Sequence, residues 1–125
     1  MSGEDGVRLE RGALPGSAED VERALRAEGM TPTRWGNGAH YRYARHHHPY
    51  TKVLVCVRGG IVFHTSPTSA PGASGGSAST RDWPMGPGDR LELAAGVEHA
   101  ASVGSEGVEC VEAPRPDVPG KQTGG

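Results

Sequence analysis

Between about residue 39 and residue 113, the apolar residues of this 125-residue chain fall in short runs separated by glycine or proline. Such punctuation favours an all-β domain, a sandwich or barrel of about six short strands, over a helical bundle. The run that anchors this reading is Lys52-Val53-Leu54-Val55-Cys56-Val57-Arg58, followed by Gly59-Gly60 and then Ile61-Val62-Phe63-His64. Two apolar runs joined by a glycine pair predict an antiparallel hairpin. Further strands are expected at His40–Arg45, Arg90–Leu93, Ala100–Val103 and Gly107–Ala113, with Trp35-Gly36-Asn37-Gly38 as a turn.

One short N-terminal helix precedes the strands, at about 17–29. Ser17 can cap its free N–H groups, and Glu19 and Asp20 lie in the positively polarised first turn. Val21, Ala24 and Leu25 share a face, Gly29 is a natural stop and Pro32 prevents resumption. The domain is expected to span 17–113, with the barrel at about 35–113. A flexible arm, 1–16, precedes it, and a disordered tail, 114–125, follows it. Residues 65–80, rich in Ser, Thr, Pro, Gly and Ala, form a mobile insert, read as an elongated hairpin loop rather than a functional lid.

A net charge of −2 provides no basic footprint for nucleic acid, and no apolar run approaches the ~20 residues that span a bilayer. The first six residues are polar and acidic, unlike a signal peptide. Cys56 and Cys110 sit inside apolar runs and read as buried reduced thiols. The expectation is a soluble, cytoplasmic protein.

The chemistry concentrates in His46-His47-His48, directly ahead of the central strand. Side chains alternate along a strand, so His46 and His48 project from one face and His47 from the other. Two imidazoles so placed can share a metal ion, and neutral imidazole is a frequent metal ligand. His99, opening a later strand after a Gly-containing turn, is the candidate third ligand, though spacing alone does not bring it there. His47, His40 and His64 read as surface residues. Tyr50 has the parity of His48, and either lines a pocket or packs beside Pro49. Glu98 either orients His99 or is solvated; His40 and Glu92 are minor candidates for a fourth ligand. Trp35 and Trp83 are expected to cover a barrel end or a subunit contact.

The order and spacing of these residues resemble the two motifs of the cupin superfamily, small β-barrels of the jelly-roll type. The first motif reads G-x5-H-x-H-x3-E-x6-G. Here His46-x-His48 is followed after three residues by Lys52 and after six more by Gly59. The second reads G-x5-P-x-G-x2-H-x3-N, and here Gly88, Ala94, Gly96, His99 and Val103 stand at those positions. The resemblance covers roughly residues 35–113. His40, Lys52, Ala94 and Val103 depart from the motif residues; only Lys52, in place of a glutamate that usually completes the metal shell, changes the chemistry. An ammonium repels a cation and donates no lone pair.

Two outcomes follow for Lys52. It can turn aside or pair with a carboxylate, Glu92 or Glu98, leaving one divalent ion (Fe, Zn, Ni, Cu or Mn) on His46, His48 and His99. Alternatively it fills the pocket and no metal binds. The resemblance implies a metal-binding domain acting on a small-molecule substrate as an oxygenase, isomerase or lyase, with Lys52 and Tyr50 as candidate catalytic residues. The alternative is a non-catalytic module that binds or senses a small ligand, with or without metal. The family also implies a homodimer; from the charge and the lack of a long apolar run, no nucleic-acid or membrane partner is expected.

Overall fold

The computed structural model describes residues 3–4, 6–66 and 80–116. Its strands are β1 (Gly3–Glu4), β2 (Val7–Glu10), β3 (Thr33–Asn37), β4 (Arg42–His46), β5 (Lys52–Thr65), β6 (Arg81–Met85), β7 (Arg90–Leu93) and β8 (His99–Pro114). One helix, α1 (Ala18–Ala27), lies between β2 and β3. All pairings are antiparallel, in the order β1-β2-β7-β5-β8-β3, with β4 also on β8 and β6 also on β5. The expected all-β architecture with one short N-terminal helix is what forms.

The organising elements are β5 and β8, which pair along almost their whole lengths. Their register shifts between Cys56 and Ile61. Below the shift, Leu54 and Cys56 face the barrel interior; above it, Ile61 and Phe63 do. The inward parity changes from even to odd, as an extra unpaired residue in a strand requires. Gly59-Gly60 therefore bends one long strand instead of reversing the chain, and the hairpin expected there does not exist. Gly59 has φ +77, and a Cβ on it would lie 2.0 Å from the Gly107 carbonyl oxygen, so the two strands approach too closely for a side chain. Ala100–Val103 and Gly107–Ala113 likewise belong to one strand, β8. The local sequence shows the bend as a glycine pair; only the partner strand shows that the chain runs on through it.

Two apolar clusters result. Leu54, Cys56, Ile61, Phe63, Trp83, Met85, Leu91, Leu93, Val108 and Cys110 fill the barrel. On the outer face, Val53, Val55, Val111 and Ala113 pack against Ala18, Val21, Leu25 and Met30. Before the register shift, alternation along β5 assigns its odd residues to the helix and its even residues to the interior. Ser17 caps α1 in a reciprocal box with Asp20, and Gly29 (φ +92) follows its C-cap. Arg90 then reaches Glu28 through two hydrogen bonds, 2.7 and 3.0 Å, fixing the helix end to the sheet.

Several boundaries differ from expectation. Residues 7–10 are not a flexible arm: Val7 is fully buried opposite Leu93 in β7, so a short apolar alternation within a Gly-rich segment is enough to add a strand. Trp35-Gly36-Asn37 lies in β3 rather than in a turn, because Gly36 lets β3 approach the Val108 carbonyl. At the C-terminal end Arg115 is held by its N–H on Thr51 O and by Glu92. Most of the expected insert, 67–79, and of the expected tail, 117–125, lies outside the described residues. Cys56 and Cys110 are opposite each other in the β5–β8 ladder, both buried and both free thiols, as expected.

Candidate metal centre

His46 closes β4 and stands opposite His99, the first residue of β8. His48 follows two residues later, and its carbonyl accepts the Gly96 N–H at 2.8 Å, tying its loop to the turn that leads into β8. The three rings gather with centroids 4.8 Å (46–48), 4.4 Å (46–99) and 5.3 Å (48–99) apart. One ring nitrogen from each lies within 4.8 Å of the others.

Backbone contacts fix how these rings present their lone pairs. Nδ1 of His46 lies 2.8 Å from the Ala44 carbonyl, and Nδ1 of His99 lies 2.9 Å from that of Val97. A carbonyl only accepts, so each Nδ1 carries the proton and each Nε2 keeps a free lone pair. Nε2 of His48 is buried with no hydrogen-bond partner among the described residues. Leaving a buried nitrogen unpaired is costly, and an ion shared with the other two imidazoles would satisfy it. Burial holds the His99 imidazole down to about 4, helped by the neighbouring His46, His48 and Lys52 and opposed by the Val97 carbonyl. Burial, then Lys52 and His46, lowers His48 as well. Neutral rings are the form that coordinates, so the donor set fits a divalent ion.

The cluster opens on a cavity of about 360 Å³. Trp35, Leu54 and Phe63 give it apolar walls, and Asn37, Tyr43, Lys52 and Glu112 give it polar ones, beside His46 and His99. Lys52 Nζ lies 3.3 Å from Glu112 Oε1, which also accepts the Trp35 indole N–H at 2.7 Å. Asn37 and the Tyr43 hydroxyl are hydrogen-bonded to each other.

Among solved structures, the 3'-monoepimerase ChmJ from Streptomyces bikiniensis, in complex with dTDP-quinovose, superposes with a TM-score of 0.64 at 14% identity, over 97% of this chain and 71% of its own. An RmlC-like cupin from Shewanella frigidimarina gives 0.53 at 14% identity, over 70% and 67%. The DMSP lyase DddQ from Ruegeria pomeroyi gives 0.54 at 19% identity, over 71% of this chain and 39% of its own. The fold is that of a cupin. No protein-family model and no curated protein matches this sequence. This chain spans 42% and 39% of two DMSP lyase chains it superposes on, so it corresponds to part of those proteins.

Within this cupin barrel the expected histidines come together, and the other candidates separate. Lys52 pairs with Glu112, not with Glu92 or Glu98: Glu92 is held by Arg90 and Arg115, and Glu98 is exposed. Because His99 Nδ1 meets Val97 O, Glu98 does not orient the ring. Tyr50 stacks on His48 (centroids 5.1 Å apart) and is 37% exposed, outside the cavity lining. His40 occupies a turn at φ +64 and His47 is exposed. His64 bridges Asp82 and Ser102 across three strands. Trp83 does not cover a barrel end; it is 8% exposed in the core, with its indole N–H on Thr65 Oγ1. Glu112 escaped the sequence reading, although alternation from Cys110 was enough to turn it inward. Tyr43 and Asn37 had no comparable signal, because their elements could not be placed against the barrel. No helix among the described residues is long and apolar enough to cross a membrane.

Proposed function

We propose that this chain is a small metal-binding cupin domain in which His46, His48 and His99 hold one divalent ion, and that the adjoining cavity takes a small molecule. The observation that carries this reading is the buried, unpartnered Nε2 of His48 facing two imidazoles whose Nδ1 protons are committed to carbonyls. Three neutral nitrogen donors suit Fe(II), Zn(II), Ni(II), Cu(II) or Mn(II). When bound, such an ion supplies Lewis acidity or a site for O2.

The protein's own groups supply the rest. Trp35, Leu54 and Phe63 give the cavity apolar contact surface, while Lys52, Asn37 and the Tyr43 hydroxyl are placed to orient polar groups of a bound molecule. The cupin structures it resembles include a monoepimerase, a DMSP lyase and an oxalate decarboxylase. Isomerase and lyase chemistry are both represented there, and the fold by itself selects neither.

Elemental analysis of protein purified without a tag or added metal tests the proposal. About one equivalent of metal is expected per chain, and none after His48→Ala. Metal retained at full stoichiometry by His48→Ala would remove the assignment.

A further inference from the structure

The charges around the histidines do not balance for a resident dication. Three imidazoles add no negative charge, and the one carboxylate among the cavity-lining residues, Glu112, is already engaged by Lys52 and by the Trp35 indole. Lys52 is largely buried, its side chain 12% exposed, so its ammonium cannot simply retreat into water. Lys52 and Glu112 together are neutral, and Arg34, the other charged lining residue, is paired with Glu22. An ion on the histidines would therefore have neither of its charges compensated by a free protein carboxylate beside the apolar walls of Trp35, Leu54 and Phe63, which carries an electrostatic penalty. An anionic ligand relieves that penalty. Lys52 has three N–H donors and Glu112 occupies only one direction, so the ammonium can also donate to an anion in the cavity.

We propose that the cavity selects a small carboxylate with an apolar body, its oxygens shared between the histidine-held ion and Lys52 Nζ. Lys52 is then the residue that sets specificity for anions, and Glu112, held by the Trp35 indole, is the carboxylate with which an incoming anion competes for the ammonium. The apolar body lies against Trp35, Leu54 and Phe63, and the cavity volume of about 360 Å³ limits it to a compact molecule. This inference rests on the metal-binding reading above.

Calorimetry on the Zn(II)-loaded full chain tests it, with benzoate as the probe and benzamide as its neutral counterpart of the same shape. Benzoate is expected to bind about tenfold or more tightly than benzamide. Lys52→Met should weaken benzoate by about tenfold with little change for benzamide. Glu112→Gln, which keeps an acceptor for the Trp35 indole but frees the ammonium, should strengthen benzoate severalfold; loss of folding cannot produce a change of that sign. Equal binding of the two probes, benzoate affinity indifferent to Lys52→Met, or weaker benzoate binding in Glu112→Gln overturns the inference. Zn(II) titrated alone separates the two levels: a chain that takes no Zn(II) overturns the metal reading itself, whereas a Zn(II)-loaded chain that ignores benzoate overturns only the carboxylate.

Discussion

The two faces of the β5–β8 pair are built from alternate residues of the same strands, yet they do different work. On the outer face Val53, Val55, Val111 and Ala113 meet Val21, Leu25 and Met30, a wholly apolar cluster, with the Arg90–Glu28 pair at its edge. On the inner face Leu54, Cys56 and Cys110 begin the same way. Beyond them, however, Lys52, Glu112 and His99 stand where the barrel is not filled, and line a cavity. The outer face is closed by the helix; the inner face leaves space and accepts the polar side chains of Lys52, Glu112 and His99, beside His48, whose Nε2 has no hydrogen-bond partner among the described residues. Packing alone occupies the helix side, whereas the barrel side holds both an apolar core and the polar cavity, within one residue of each other along the chain.

That division is open to direct attack. The largest effect expected is on the inner face: His48→Ala should cost metal affinity by about 4 kcal/mol, measured by competitive titration, while leaving urea stability of the metal-free protein nearly unchanged. On the outer face Leu25→Ala, at a fully buried position, should lower unfolding free energy by about 3 kcal/mol in urea and leave metal stoichiometry intact. If Leu25→Ala abolished metal binding in the folded protein, the two faces would not be separable.

The pH dependence of the metal-free protein sharpens the contrast. His99 is held down to about 4 in the fold against 6.5 when free, so between those values the unfolded chain binds a proton that the folded chain refuses. Stability should therefore be complete above pH 6.5 and fall by about 3 kcal/mol as pH drops towards 4, with His48 adding in the same direction. Urea melts from pH 7.5 to 4.5 would show the slope, and His99→Gln should flatten it. A slope unaltered by that substitution would place the acid sensitivity elsewhere. The smallest effect belongs to the helix edge. Glu28→Gln should cost about 1 kcal/mol, since the carboxylate is partly exposed and its pairing with Arg90 is screened by solvent.

Part of the site is legible in the sequence because the His46–His48 spacing is local and the cupin resemblance adds His99. His46 and His48 are two residues apart, and His99 follows a glycine turn at the distance a cupin second motif requires. The partner of Lys52 was not legible in that way. Glu112 is sixty positions away in the chain, and only antiparallel pairing of β5 with β8 brings it beside Lys52. The hairpin misread at Gly59-Gly60 has the same origin. A glycine pair permits either a reversal or a bulge, and the choice is made by the carbonyl of Gly107 on another strand. Residues 7–10 have too little hydrophobic content for the sequence to predict a strand, but Val7, docked on Leu93, and Leu9, packed against the core, hold β2 between β1 and β7.

By itself the sequence determined the class of fold, the capped helix and the His46–His48 pair, because alternation and capping act over a few residues at a time; the β4–β8 pairing is what sets His99 opposite His46. The tertiary structure decided where β5 and β8 bend, which carboxylate neutralises Lys52 and where the interior stays open. Those outcomes depend on contacts between residues far apart in the chain, and local propensity has no means of encoding them.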